Sequence, residues 1–283
     1  MSQVLISGGA LSATVTTQGR NGWCGLSRLA HHDYPISWLL SPALTLEHYI
    51  GIPMDSPEYI EYEPCYSPRS LDNITSDGCT LRYGAKSCSK VDCSISYRMV
   101  PPHYVDVLVR AQTNRAEWPF KSLALFFATI VNAPIYTGVT FTGHDIGVDV
   151  KGGNPWIHFN GFASVIGKTV HPAGLNNPEL PRPENPPPSY YYSDSSVRFD
   201  RAFFFGLVGQ MVFAVLFPPS HREVVRFTVN PLAPAFGGPA WDFFWAIKDP
   251  TPSRVWELPL RVLWKPFRGP EDVLKEYESY ISI

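Results

Sequence analysis

Residues 202–217 form a run of sixteen residues without a charged side chain, and this run restricts the fold more than any other part of the chain. It is too short for a transmembrane helix, which needs about 20 apolar residues. Gly209 and Gln210 interrupt the run at its middle, and a proline pair follows it. The run therefore predicts two strands, residues 203–208 and 211–217, joined by a tight turn.

The residues that follow continue the same sheet. Residues 224–229 alternate apolar and polar side chains, and residues 241–247 come after a loop rich in proline and glycine. Because neighbouring residues of a strand point to opposite faces, Trp241 and Trp245 share one face and Asp242 lies on the other. These strands predict an antiparallel sheet with a large apolar face.

Period-two alternation identifies the remaining strands. The clearest are residues 91–100 and 104–112, which predict a hairpin with one face toward solvent. Further strands are predicted at residues 11–17, 44–50, 71–75, 79–83, 122–131, 139–142, 156–162 and 255–264. One helix is predicted, at residues 271–281, where an apolar stripe follows a proline suited to a first helical turn.

The composition agrees with a chain of many turns and few helices. The 283 residues include 28 prolines and 21 glycines, and 45% are hydrophobic. We predict an all-β fold of two packed antiparallel sheets, a β-sandwich, with one C-terminal helix. β-Sandwiches often exceed 200 residues as one unit, so residues 1–283 are predicted to form a single domain.

Residues 172–188 interrupt this pattern with seven prolines. No packed element suits them, and they are predicted to form a loop. Two interpretations stay open, a disordered surface insertion and a lid over a cleft.

Charge and cysteine content restrict the partners and the compartment. The formal net charge is −2 and the basic residues are scattered, which argues against nucleic-acid binding and against a membrane-surface role. The cysteines number five, no CxxC occurs, and the first residues do not resemble a signal peptide. We expect reduced thiols in a cytoplasmic protein, with a Cys88–Cys93 or Cys65–Cys79 bridge as the alternative. A homo-oligomer is compatible with the sequence.

Several enzyme classes are disfavoured because their motifs are missing. The chain has no GxGxxG after a strand, no GxxxxGK[ST], no GxSxG and no HExxH. Dinucleotide-dependent oxidoreductases, P-loop enzymes and α/β hydrolases are therefore not expected, and no cofactor is predicted. No short metal-ligand spacing occurs, so no metal is predicted either.

One candidate site lies in the strand predicted at residues 156–162. Trp156, His158 and Asn160 alternate and share one face. An imidazole exchanges protons near neutral pH, an amide both donates to and accepts from hydroxyl groups, and a Trp ring offers a flat apolar wall. This combination suits a carbohydrate.

The other candidates lie on separate strands. Glu47 and His48 are adjacent within an apolar strand, so only one can face a given cleft unless the strand is bulged. Asp242 is the second candidate carboxylate. We predict that His48 or His158, with Glu47 or Asp242, supplies acid–base chemistry. The predicted substrate-binding residues are Trp156, Trp241, Asn160, Arg226 and His103.

Three short motifs carry a resemblance to a known group. LEHYIG at residues 46–51, NAP at 132–134 and PAWDF at 239–243 resemble an uncharacterised bacterial family that is similar to galactose-mutarotase-like β-supersandwich proteins. The resemblance implies that fold, a sugar substrate, and a histidine acid with a carboxylate base at a concave sheet. The histidine motif of that group resembles His-x-x-Phe-Asn, and His158-Phe159-Asn160 is two residues shorter.

Two classes of function follow for a small-molecule or oligosaccharide ligand. The first is a carbohydrate-processing enzyme, an epimerase or mutarotase, a lyase or a glycosidase. The second is a noncatalytic carbohydrate-binding protein, which needs aromatic platforms but no convergent acid and base. A structural protein with an aromatic core and no cleft is a third interpretation.

Overall fold

The fold was determined as a computed structural model that describes residues 1–85, 88–147, 155–160, 169–175, 194–233 and 237–282. The described strands are β1 Gln3–Gly8, β2 Leu11–Thr16, β3 Gly25–His31, β4 Thr45–Ile50, β5 Arg69–Asp72, β6 Gly78–Tyr83, β7 Val91–Val100, β8 Tyr104–Thr113, β9 Ser122–Ala128, β10 Val139–Asp145, β11 Trp156–Phe159, β12 Thr169–Pro172, β13 Asp194–Phe199, β14 Phe203–Val208, β15 Met211–Leu216, β16 Val225–Ala233, β17 Gly238–Lys248 and β18 Val255–Pro266. The α-helices are α1 Glu63–Tyr66 and α2 Pro270–Ile281, and short 3₁₀ turns cover Arg20–Gly22 and Pro219–Val224.

The strands form one long hydrogen-bonded path and one small sheet. The path runs β4-β9-β17-β16-β12-β13-β10-β14-β15-β18-β8-β7-β6-β5, with β11 on the side of β10, and the small sheet is β1-β2-β3. We call one part of this path the first layer: β4, β9, β17, β16, β12 and β13. We call the other part the second layer: β14, β15, β18, β8, β7, β6 and β5. Strand β10 connects the two layers. The pairing is antiparallel throughout, apart from β12 with β13, which run parallel.

The two layers face each other across an aromatic core. Phe213 on β15 stacks against Trp241 on β17 with ring centroids 6.3 Å apart. Phe217 after β15 contacts Phe243 on β17 at 5.0 Å. The prediction of an all-β fold of two packed sheets is therefore confirmed. The alternation at residues 241–247 is confirmed as well, since its Trp face is the core face.

Helix α2 covers the outer face of the second layer. Tyr277 of α2 packs on Phe203 of β14 with centroids 5.0 Å apart, and Val273 is fully buried in the same cluster. The predicted C-terminal helix is confirmed. Helix α1 was not predicted, because four residues are too few to show a helical period.

Three further expectations concern local features. All five cysteines belong to the described residues and none of them is in a disulfide. No described helix has the length and apolar character needed to cross a membrane. Of the predicted proline-rich loop, residues 172–175 are described and Pro172 ends β12, whereas residues 176–188 lie outside the described ranges.

Candidate functional site

The outer face of the first layer is buried but polar, and we call it the polar face. Its side chains lie in two rows that cross the strands at right angles. The first row, from β4 to β16, is His48, Phe126, Phe244 and Arg226. The second row, from β17 to β13, is Asp242, Thr228, Thr169 and Asp194. Directly opposed residues have Cβ atoms about 4.5–5.5 Å apart, so the rows form one continuous surface.

Glu47 reaches the polar face because β4 is bulged. The register passes from Leu46 opposite Phe127 to His48 opposite Phe126, which leaves Glu47 without an opposed residue. A bulge of this kind redirects a side chain. Oε1 of Glu47 lies 3.7 Å from Nε2 of His48, and the two side chains are 8% and 3% exposed. Two adjacent residues thus form a carboxylate–imidazole pair.

Asp242 is a second carboxylate on the polar face, two strands away on β17. It is 2% exposed, and its Oδ1 accepts a hydrogen bond of 3.3 Å from the N–H of Thr129. Burial raises the pKa of Asp242 well above its ordinary value and the negative charge of Glu47 raises it further, while the Thr129 N–H opposes both. Asp242 therefore keeps a proton at pH values where an exposed aspartate has lost it.

Aromatic rings surround this group. Phe126 and Phe244 contact each other across β9 and β17 with centroids 5.2 Å apart. The imidazole of His48 lies edge-on to Phe126 at 5.7 Å and is covered by Tyr62 at 4.4 Å. Tyr62 precedes α1, which holds its ring over β4. Ligand sites commonly combine such apolar rings with a few placed polar groups.

A second polar group lies at the other end of the polar face. Nε2 of His171 is 2.8 Å from Oδ1 of Asp194, and His171 is fully buried. Burial lowers the pKa of this imidazole, and the hydrogen bond with Asp194 opposes that effect. Arg226 on β16 borders a cavity of about 330 Å³. The face thus offers acid–base groups at one end and a buried cation at the other.

Four of the residues predicted from sequence meet on the polar face: Glu47, His48, Asp242 and Arg226. Trp241 does not join them, although it was predicted to wall the ligand. It is 0% exposed, and its Nε1 donates a hydrogen bond of 3.0 Å to the carbonyl of Thr137. Strand alternation showed that Trp241 and Asp242 face opposite sides but not which side was the core.

The residues of the second predicted group lie on β11, away from the polar face. Trp156 contacts Phe203 edge-on at 6.2 Å, on the side of the second layer that α2 covers. His158 is exposed, and its Nδ1 lies 3.2 Å from Oγ1 of Thr140. Asn160 follows the end of β11, so the predicted alignment of the three residues along one strand does not extend to it.

His103, the last predicted residue, lies at the turn between β7 and β8. Its Nε2 is 3.2 Å from Oε1 of Glu276 on α2. It therefore links the helix to the second layer and lies outside the polar face.

Other residues of the polar face were not found from the sequence, among them Tyr62, His171 and Thr228. The alternation at residues 224–229 that identified Arg226 also places Thr228 on the same face, so the sequence was sufficient to find Thr228. His171 and its partner Asp194 are 23 residues apart, and no local pattern connects them.

A metal site was not predicted, and among the described residues one group of side chains has suitable spacing. His31, His32 and Asp33 place one potential ligand atom each within 4.8 Å of one another. However, Nδ1 of His31 accepts a hydrogen bond of 3.1 Å from the N–H of Asp33, so the lone pair of this nitrogen is already used. We assign no metal to this group.

The layered path and the polar outer face define a protein of the galactose-mutarotase-like β-supersandwich fold. Among solved structures, the chain is similar to a protein from Synechocystis at 8% identity and TM-score 0.55, covering 94% of this chain and 96% of that one. It is also similar to a GalM/aldose epimerase homologue from C. elegans, at 7% identity and TM-score 0.54, covering 94% and 99% of the two chains.

A third similar structure is a galactose mutarotase related enzyme from Lactobacillus acidophilus, at 7% identity and TM-score 0.51, with 93% and 97% of the chains covered. No protein-family model matches the sequence, and no curated protein is similar to it. At these identities the similarity shows the fold, and the resemblance predicted from the short motifs is confirmed at that level.

Proposed function

We propose that the protein is a carbohydrate-processing enzyme of the epimerase or mutarotase type. The observation that carries this proposal is the meeting of Glu47, His48 and Asp242 beside aromatic rings on one face. Two of the similar solved structures are described as an aldose epimerase homologue and a galactose mutarotase related enzyme, which supports a sugar as the substrate.

The charges of the group give each residue a proposed role. Asp242 is the general acid, because burial and the charge of Glu47 favour its protonated form. Glu47 is the base. Nε2 of His48 lies 3.7 Å from Oε1 of Glu47, so His48 orients this carboxylate or relays the proton that it accepts. An acid and a base on one face are what a reaction that gives and removes a proton requires.

The proposed reaction inverts a sugar at its anomeric carbon. The base takes the proton of the anomeric hydroxyl while the acid protonates the ring oxygen, and the bond between anomeric carbon and ring oxygen breaks. The resulting aldehyde rotates and the ring closes on the other face, which returns both protons. The enzyme ends the cycle unchanged, and the step uses no cofactor.

The test is a turnover assay over a panel of aldoses, with anomer exchange followed by NMR. Asp242→Asn is expected to lower kcat by about 100- to 10,000-fold, the range for loss of a general acid or base, and His48→Ala, which removes the partner of the base, is expected to lower kcat as well. His32→Ala, at an exposed position, is the matched control. If both site variants stay folded and keep near-full kcat, the assignment is wrong.

The same assay distinguishes the two predicted histidine sites and the other reaction types. Loss of turnover in His158→Ala, with His48→Ala active, would move the site to β11. An unsaturated product would indicate a lyase, and a cleaved oligosaccharide would indicate a glycosidase. Both reactions use the same acid and base types.

Burial favours one alternative, a noncatalytic carbohydrate-binding protein. Glu47, His48 and Asp242 are each less than 10% exposed, and the Tyr62 ring covers His48. Calorimetry on the same sugars decides between the two: binding without turnover in every case supports the binding protein. If no sugar binds or raises the melting temperature, a structural protein is supported.

A further inference from the structure

Arg226 is a buried cation whose charge the described residues leave without an ion pair. It is 3% exposed, and its Nη1 donates two hydrogen bonds of 2.7 Å, to the carbonyls of Glu223 and Val225. Its Nε has no hydrogen-bond partner among the described residues. Asp194, whose negative charge acts on Arg226, is itself bound to His171.

Such an arrangement is unfavourable without an anion. Burial lowers the pKa of Arg226 to about 10, and the charges of Asp194 and Glu223 oppose that effect, so the guanidinium is still protonated at neutral pH. A buried cation without an ion pair carries a desolvation penalty, which the charges of Asp194 and Glu223 offset only in part. A carboxylate or phosphate placed against the guanidinium offsets that penalty, since the planar fork matches both groups.

The space beside Arg226 can admit such a group. Arg226 borders the cavity of about 330 Å³ together with Ser122, Glu223 and Lys248, so two cationic side chains and one carboxylate line the same space. The cavity adjoins the polar face, where Arg226 is directly opposed to Phe244 on β17.

The register sets the distance between this cation and the proposed acid. Asp242 lies two residues from Phe244 on β17, which makes it the diagonal neighbour of Arg226. Diagonal pairs on antiparallel strands are about 7–8 Å apart. A single sugar with an exocyclic group can therefore span the two side chains.

We propose that Arg226 binds an anionic substituent of the sugar, a carboxylate or a phosphate, while the ring lies at Asp242. That the ligand is a sugar rests on the proposed function. That it carries a negative charge rests on the environment of Arg226.

The experiment compares glucose, glucuronate and glucose 6-phosphate by calorimetry on the full chain, with turnover followed for each. The wild-type protein is expected to bind one anionic sugar about 10- to 100-fold more tightly than glucose, the range for a charge-assisted hydrogen bond. Arg226→Gln is expected to remove that preference. Arg82→Gln, an exposed arginine on β6, is the matched control and is expected to retain it.

Each outcome decides a different point. Equal affinity for glucose and both anionic sugars, a preference that survives in Arg226→Gln, or no binding by any probe overturns the inference. A preference for glucuronate identifies a carboxylate, and one for glucose 6-phosphate identifies a phosphate. Binding of the anionic sugar through Arg226 without turnover supports the inference and contradicts the proposed enzymatic function. Turnover without a preference for the anionic sugar supports the enzymatic function and overturns the inference.

A second variant protects the test if Arg226→Gln fails to fold. Arg226→Lys keeps the charge but loses the planar fork, so the preference for the anionic sugar is expected to fall at least about fivefold. An unchanged preference in Arg226→Lys would count against bidentate binding and overturn the assignment.

Discussion

At the scale of single residues, the core depends on the absence of a side chain at Gly206. A Cβ at this position would lie 2.3 Å from one ring carbon of Trp241 and 2.4 Å from another. Gly206 therefore allows the indole from β17 to approach β14 of the opposite layer closely.

Gly206→Ala is expected to lower the free energy of unfolding by about 1–3 kcal/mol, because the added methyl overpacks a rigid core. Urea denaturation measures it. Gly84→Ala is the control, since a Cβ there meets its nearest atom at 3.7 Å, and its effect is expected within about 0.5 kcal/mol. Equal effects of the two variants would contradict the packing argument.

At the scale of elements, one carboxylate of helix α2, Glu276, links the helix to the second layer. Glu276 accepts hydrogen bonds from His103, Tyr104 and Lys265. Burial alone would raise the pKa of Glu276, but these hydrogen bonds outweigh it and lower the pKa to about 2. The helix is thereby tied to β8 and β18 in a pH-dependent way.

Because the folded-state pKa of Glu276 is below its ordinary value of 4.5, this group stabilises the fold above that pH. The contribution is lost as pH falls from about 4.5 to about 2. We expect Glu276→Gln to lower the melting temperature at pH 7 and to flatten the acid limb of the stability profile. Parallel profiles of the variant and the wild type would show that Glu276 does not carry this dependence.

At the scale of the whole molecule, one core cluster includes residues of the small sheet and of both layers. Ile6 lies in the small sheet, Phe227 in the first layer and Leu81 in the second, and all three belong to this cluster. On the basis of this shared core we propose that residues 1–283 form the single domain predicted from the sequence.

A shared core predicts that the chain unfolds in one cooperative transition. Calorimetry, tryptophan fluorescence and far-UV circular dichroism should give the same midpoint, and calorimetric and van't Hoff enthalpies should agree. Two resolved transitions, or different midpoints from the three probes, would indicate separate domains.

The sequence by itself determined most of the strands and the faces of their side chains, whereas β1, β3, β12 and β13 were not predicted. Residues 91–100 and 203–208 are strands β7 and β14 with the predicted bounds, and Trp241 and Asp242 point to opposite faces. The physical reason is that alternation is a local property, set by the pleat of one strand.

Beyond the two predicted hairpins, β7–β8 and β14–β15, only the tertiary structure decided which strands are neighbours and in which register. The bulge at Glu47, the proximity of Glu47 to Asp242 and the pair of His171 with Asp194 all depend on pairing between distant segments. The pairing of β11 with β10 likewise places His158, which lies on β11, away from His48. Register is set by how whole faces pack together, and no single stretch of sequence contains that information.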